Sequence, residues 1–166
     1  MTRIMKCCLV MAAIGLCLFG GTAQAQDTSP YLAGFWSEGD NDFQIVNPTT
    51  KPLTVYAIFY DVNEGPIVGM ECFKQYLPAN GRWSVDPDGD NDGIFGTAKF
   101  FAFPAGTRKF DPNAVIGGFQ RKEYGDGSDY HYYLESNLKA VTINSYTLRE
   151  FSMIPPDDDE CFYEID

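Results

Sequence analysis

Histidine, basic residues and paired cysteines are scarce in this sequence, and each shortage excludes a class of function. His131 is the single histidine, and the chain contains no G-x-S-x-G, H-E-x-x-H or C-x-x-C motif. A catalytic triad or a zinc site needs histidine together with a nucleophile or with further nitrogen and sulfur ligands. The sequence therefore predicts neither, and His131 is most simply a residue without a catalytic role.

Positive charge is also in short supply. Twelve lysines and arginines stand against 23 aspartates and glutamates, which gives a net charge of −11. No basic stripe interrupts this excess, so the chain should repel phosphate backbones and anionic membrane surfaces. We expect no nucleic-acid partner; cations, cationic partners or solubility remain as reasons for the acidity.

Long apolar runs are absent after the first residues of the chain. Arg3 and Lys6 precede an apolar run over residues 7–19, and Ala23-Gln24-Ala25 fits a signal-peptidase site. The run is too short for a stable membrane span. We therefore expect 1–25 to be a cleaved signal peptide and the protein to be exported (periplasmic, cell surface or secreted). Loss of two basic residues and no acid changes the net charge from −11 to −13.

The remainder, 26–166, is expected to be a single domain with an acidic C-terminal tail. Two cysteines remain in it, Cys72 and Cys161. In an exported domain two cysteines most simply form one disulfide, which here closes a long loop and ties down the tail. In the chain-entropy picture such a bridge stabilises the fold by roughly 4 kcal/mol.

The clearest structural pattern is the stretch from Leu53 to Asp61, where β-branched and aromatic residues alternate with period two. Turn sequences recur every 8–12 residues along the chain, which predicts a single antiparallel β-sandwich of seven to nine strands with little helix. Residues 130–138 and 140–151 are expected to pair as strands. Phe100, Phe101 and Phe103 occupy both parities of one strand, which predicts burial on two faces or a lid over the core.

One segment, N-P-x-x-x-P-L-x-V-x-x-x-F-Y-D, resembles the opening strands of immunoglobulin-like β-sandwich modules of exported bacterial proteins. The resemblance covers residues 43–85. It implies an immunoglobulin-like sandwich that binds, adheres or acts as a spacer, and it implies no catalytic residues.

The sharpest candidate site is an acidic run in which aspartates alternate. Carboxylates spaced in this way can converge on one Ca²⁺ ion, with the carbonyl of the following isoleucine as a further ligand. The twelve-residue calcium-loop frame then fails, because position twelve is Lys99 rather than a bidentate glutamate. Two alternatives stay open: a structural calcium loop, or a solvated acidic turn without any ion or cofactor. The candidate ligands are Asp88, Asp90, Asp92 and Ile94, with Asp86.

Aromatic residues form the second candidate site. Aromatic faces on a rigid sandwich can stack on sugar rings or anchor a protein partner. The alternative is that these rings are core and cross-strand pairs. The candidates are Trp36, Trp83, Tyr130 and Tyr132.

These observations predict a non-enzymatic exported module that binds a protein or glycan partner or has a structural role. The first alternative is a carbohydrate-binding β-sandwich with a structural calcium. The second is a small hydrolase with a carboxylate pair, for which no motif prefers one pair of acids over another. Its candidate acids include Glu64, Glu71, Glu123 and Glu135.

Overall fold

The computed structural model of the protein describes residues 27–36, 41–61, 71–86, 96–125 and 131–154. This part of the chain contains ten strands and one helix. Eight of the strands have four residues or more. The elements are β1 (Thr28–Ser29), β2 (Tyr31–Trp36), β3 (Asn41–Val46), β4 (Leu53–Asp61), β5 (Glu71–Leu77), β6 (Arg82–Val85), β7 (Gly96–Pro104), β8 (Ile116–Gly125), β9 (His131–Asn137), β10 (Lys139–Ala140) and α1 (Ser145–Met153).

The strands form two antiparallel five-stranded sheets. Sheet A has the order β1-β8-β3-β6, with β9 also paired to β8, and sheet B has the order β10-β2-β7-β4-β5. The first strand pairs with the eighth, the second with the seventh, the third with the sixth and the fourth with the fifth. Nested pairing of this kind, rolled so that β3 meets β8 and β4 meets β7, is the jelly-roll arrangement.

The predicted all-β sandwich with little helix is therefore confirmed for the described residues, whereas its immunoglobulin-like type is corrected. Immunoglobulin sheets carry the first, second, fifth and fourth strands on one side and the third, sixth and seventh on the other. Here the second strand lies between the seventh and tenth, and the third between the sixth and eighth. The two folds share strand patterns and turn spacing, and they differ in which strands pair.

The core between the sheets follows from the alternation along β4. Leu53, Val55, Ala57 and Phe59 are buried on its inner face. Phe43 of β3 packs its ring against those of Phe59 and Phe100, with centroids 5.5 and 5.4 Å apart. Burial of large apolar side chains on both sheets provides the main stabilisation of the sandwich.

A second aromatic cluster lies on the outer face of sheet B, beneath α1. Phe151 of α1 makes edge contacts there with several rings at centroid distances of 5.0 to 6.0 Å. Those rings are Tyr31, Phe101, Phe103 and Phe110. The prediction that the phenylalanines of β7 are buried on two faces is thus confirmed, since Phe100 faces the inner core and Phe101 the outer cluster.

The helix itself corrects the prediction of a strand over residues 140–151. Only Lys139–Ala140 pairs as a strand, and Ser145–Met153 is helical. Asn144 caps the helix because its Oδ1 accepts hydrogen bonds from the backbone nitrogens of Tyr146 and Thr147, at 2.9 and 3.1 Å. The Thr147 hydroxyl accepts a reciprocal bond from the Asn144 nitrogen at 2.7 Å, which completes a capping box.

The two sheets meet closely at one edge, where Leu138 lies between two glycines. A Cβ atom on Gly34 would lie 2.6 Å from Leu138 Cδ2, and one on Gly118 would lie 2.7 Å from Leu138 Cδ1. Both distances are shorter than real Cβ contacts, so a larger residue at either position would force the Leu138 side chain to move. Leu138 is the point where the chain passes from sheet A into sheet B.

The buried side chain of Asn47 links two turns at one end of the sandwich by hydrogen bonds. Its Nδ2 donates to the carbonyls of Lys51 at 2.8 Å and Pro78 at 2.9 Å, and more weakly to Leu77 at 3.3 Å. Its Oδ1 accepts from the nitrogen and the hydroxyl of Thr49, at 3.0 and 2.7 Å. This one amide ties the β3–β4 turn to the β5–β6 turn.

Candidate functional site

The most organised polar group on the surface of sheet B is an ion pair between Lys99 and Glu150. Lys99 lies on β7, the central strand of the sheet, and Glu150 lies on the flank of α1. Lys99 Nζ is 2.6 Å from Glu150 Oε1, and the two side chains keep 24% and 18% of their surface exposed. The pair is sheltered from full solvent screening and remains within reach of a ligand.

Two tyrosines hold this ion pair in place. The Tyr31 side chain is buried and forms a hydrogen bond with Glu150. Burial, followed by the nearby Glu150 carboxylate, raises the pKa of Tyr31 well above its usual range, so the hydroxyl stays protonated and donates. On the other side, Lys99 Nζ lies 4.8 Å from the centroid of the Tyr60 ring, a cation–π contact.

An exposed aromatic ring lies near each member of the pair. Phe35 of β2 is 78% exposed and lies opposite Thr97 of β7, one step along the same face from Lys99. Tyr146 is 71% exposed and precedes Glu150 by four residues, which places both on one side of α1. We call the surface formed by Phe35, Tyr60, Thr97, Lys99, Tyr146 and Glu150 the helix-flank surface.

The helix-flank surface combines apolar rings with fixed hydrogen-bonding groups. The Lys99 ammonium carries three donors, of which Glu150 Oε1 takes one, and the Glu150 carboxylate offers several acceptor positions. Because the charges of Lys99 and Glu150 cancel, the centre of the helix-flank surface has little net charge, and a bound ligand need not be charged. Such a surface can bind and orient a molecule that has both apolar and hydroxyl faces.

The tryptophans expected as binding residues pack against the core. Trp36 is 6% exposed and Trp83 is half-buried, and both pack in the cluster between the sheets. On β2 the residues with the parity of Trp36 point inward, so the outward position is the neighbouring Phe35. Burial supports the core alternative for Trp36, and the half-buried Trp83 stays a prediction.

Other predicted residues lie wholly or partly outside the described part of the chain. Tyr130 and the predicted calcium ligands Asp88, Asp90, Asp92 and Ile94 fall outside it. Of Tyr132 and His131 only the backbone, in β9, is described. Asp86 follows β6 and is exposed. Among the described residues, no group of three or more histidine, cysteine, aspartate or glutamate side chains is placed to hold a metal. The calcium hypothesis stays a prediction.

The carboxylate pair of the hydrolase alternative likewise stays untested. Glu135 is exposed on β9. Glu64 lies outside the described residues, and Glu71 and Glu123 are described only by their backbone.

The disulfide also remains a prediction, because Cys161 lies outside the described residues. Cys72 of β5 is half-buried and packs against the outer aromatic cluster, to which Ile154 also belongs. Seven residue steps separate Ile154 from Cys161, a length of chain that spans up to roughly 23 Å. The chain length therefore permits the predicted bridge.

Two of the edge strands, β6 and β5, are poorly suited to pairing with a partner strand. β6 has four residues, two of which, Arg82 and Ser84, are exposed and polar. β5, an edge of sheet B, carries Lys74 and the exposed Gln75. β9 is an edge of sheet A as well, since it pairs only with β8, and its seven residues include no lysine. Short edges and lysine on an edge are features that discourage pairing with another strand.

Among the described helices none is long and apolar enough to cross a membrane.

Sequence reasoning missed most of the helix-flank surface. Lys99 entered only as a mismatch in the calcium-loop frame, and Glu150 and Tyr146 were assigned to a strand. One signal was present in the sequence: Asn144 followed three residues later by Thr147, with apolar residues at Phe151 and Ile154, fits a capped helix with one buried face. The pairing of Lys99 with Glu150, 51 residues later, leaves no local signal.

Comparison with known proteins adds little to this geometry. No family model matches the chain, and no curated protein matches it. The crystal structure of Thermotoga maritima 1070 is similar with a TM-score of 0.47 and 7% sequence identity, over 71% of this chain and 97% of that chain. A similarity at this level carries no argument about function.

Proposed function

We propose that this protein is an exported, non-enzymatic binding domain and that the helix-flank surface is its ligand site. The observation that carries the proposal is the Lys99–Glu150 ion pair, fixed by Tyr31 and Tyr60 and flanked by exposed rings. A jelly roll gives such a surface a rigid support, because a site on packed strands keeps its geometry better than a site on loops.

The arrangement favours binding over a purely structural role. An exposed phenylalanine such as Phe35 contributes little to the stability of the fold, since most of its surface remains in water. A half-buried ion pair is likewise a weak source of stability, because desolvation offsets much of the Coulomb attraction. An ion pair that stabilises little, is fixed by Tyr31 and Tyr60 and lies beside an exposed ring suits recognition.

The proposal is tested with the exported protein and two single substitutions, Phe35→Ala and Tyr146→Ala. Tyr76→Ala serves as the matched control, because Tyr76 is an exposed tyrosine at the opposite end of the same sheet face, on β5. Labelled wild type and variants are applied to glycan and peptide arrays. We expect at least one class of array element to bind wild type and the control alike, and to bind the two site variants about ten-fold more weakly.

Two measurements keep the outcome clear. Urea denaturation should place all three variants within about 0.5 kcal/mol of wild type, as is usual for exposed positions. Equal binding by site variants and control, or no bound element on either array, would refute the proposed site. Release of reducing sugar or cleaved peptide by the wild type would refute the non-enzymatic assignment.

A further inference from the structure

We infer that the ligand of the helix-flank surface is an uncharged glycan chain. The inference rests on the proposed function and deepens it by naming the chemical class of the ligand. Three features support a glycan: the placement of the rings, the hydrogen-bonding groups between them and the charge of the whole protein.

The rings are placed to contact an extended ligand at more than one point. Phe35, Thr97 and Tyr60 lie in one row across β2, β7 and β4, because Thr97 is the register partner of both aromatic residues. Adjacent strands are about 4.8 Å apart, so Phe35 and Tyr60 attach to the sheet roughly 10 Å from each other. Sugar rings present flat C–H faces that pack on aromatic rings, and a row of this length extends beyond a single sugar.

The groups between the rings match hydroxyls. Lys99 supplies donors and Glu150 supplies acceptors, side by side and partly exposed. A sugar hydroxyl both donates and accepts, so neighbouring hydroxyls can bond to both members of the pair without separating their charges. The Tyr146 hydroxyl, on the helix side, adds a group that can donate or accept.

A peptide suits this surface less well. Peptides are commonly bound as an added strand at a sheet edge or as a helix in an apolar groove. The helix-flank surface lies across the outer face of sheet B, and its centre is an ion pair rather than an apolar groove. The exposed rings therefore need a ligand with polar groups between its apolar faces.

Charge selects among glycans. The chain has a net charge of −11, and we expect −13 after removal of the signal peptide. A polymer of uronic acids or sulfated sugars would be repelled by this charge. Lys99 does not compensate, because Glu150 already neutralises it. A cationic glycan gains little at this surface, because the Glu150 carboxylate is already paired with Lys99. The class that fits best is an uncharged polysaccharide or oligosaccharide.

Affinity gel electrophoresis tests this inference with defined probes. The exported protein and its variants are run through native gels that contain hydroxyethyl cellulose, galactomannan, xylan or, as the anionic comparator, alginate. We expect retardation by at least one of the three uncharged polysaccharides. The apparent affinity should fall about ten-fold in Phe35→Ala and Tyr146→Ala and stay unchanged in Tyr76→Ala. Two independent site variants, each checked by thermal melting, separate a lost contact from a lost fold.

The other outcomes distinguish the inference from the proposed function. Retardation by alginate alone overturns the uncharged class. Absence of retardation by all four polymers, together with an array peptide whose binding depends on Phe35, overturns the glycan and leaves the site in place. Retardation that is equal in wild type and in both site variants overturns the inference and the proposed site together.

Discussion

Asn47 allows the sharpest test of how the fold is held, because one atom of its side chain can be changed almost without changing its shape. Replacing Asn47 by aspartate keeps the size of the side chain and removes its two donor hydrogens. The amide is buried, and its Nδ2 lies 2.8, 2.9 and 3.3 Å from the carbonyl oxygens of Lys51, Pro78 and Leu77. In the variant a carboxylate oxygen would face these three carbonyls.

The magnitude follows from those contacts. Two donated bonds are shorter than 3.0 Å, and each contributes about 1 kcal/mol net. Placing an unpaired carboxylate in a buried site adds a similar or larger penalty. We therefore expect Asn47→Asp to lower the free energy of unfolding by about 3–5 kcal/mol at pH 7. That is a large part of the 5–15 kcal/mol typical of a domain.

The penalty should depend on pH in a definite direction. Burial among carbonyl oxygens raises the pKa of the new carboxyl in the folded state above its unfolded value of about 3.9. The protonated form can donate one hydrogen bond, so the variant loses least below the unfolded pKa. The loss grows as pH rises from there through the folded pKa. Wild type and variant should thus differ more at pH 7 than at pH 4.

Urea denaturation followed by tryptophan fluorescence measures both effects, because the buried Trp36 and half-buried Trp83 report on the core. Gln75→Glu is the control: it makes the same change of charge at an exposed position on β5 and should stay within about 0.5 kcal/mol of wild type. A loss below 1 kcal/mol for Asn47→Asp, or the same loss at both pH values, would refute the assigned role of the amide.

Three further predictions concern the ion pair, the sheet corner and the disulfide. A double-mutant cycle of Lys99→Met and Glu150→Gln should give a coupling free energy of about 1–2 kcal/mol by urea denaturation, between the values for exposed and buried pairs; a coupling near zero would contradict the geometry. Gly118→Ala should lower the melting temperature, because its new methyl group meets Leu138 Cδ1. The same substitution should lower the melting temperature less in a Leu138→Ala background, and an equal decrease in both backgrounds would exclude that clash. Cys72→Ser should cost up to roughly 4 kcal/mol and abolish a 2-Da mass increase on reduction, and an unchanged mass of reduced wild type would disprove the bridge.

Period-two patterns made the sandwich predictable. From Leu53 to Phe59 the side chains that face the core alternate with those that face away from it, as in a strand with one face in the core. The phenylalanines of β7 indicated that sheet B is buried on its outer face as well. The pairing order was beyond such reasoning, because a jelly roll and an immunoglobulin sandwich present the same alternation to a local pattern. Which strand lies beside β4 depends on contacts made far along the chain.

The helix was missed for a local reason. Val141, Thr142 and Ile143 are β-branched and precede aromatic residues, which favours a strand. The helix forms instead because Asn144 caps it and because Phe151 is buried against four rings. The burial of Phe151 depends on residues distant in sequence, so a local pattern does not reveal it. The ion pair depends on this helix, so an error about the local structure concealed the candidate site as well.

The nested pairing also has a consequence for the order in which the chain can fold. Thr28 pairs with Gly117, and Ala33 pairs with Lys139, partners separated by about ninety residues and by more than one hundred, respectively. β1 therefore finds its partner only after β8 has been made, and β2 is paired on both sides only after β10 has been made. A truncated product that ends before α1 would leave the aromatic face of sheet B in water, where proteases and chaperones recognise incomplete chains.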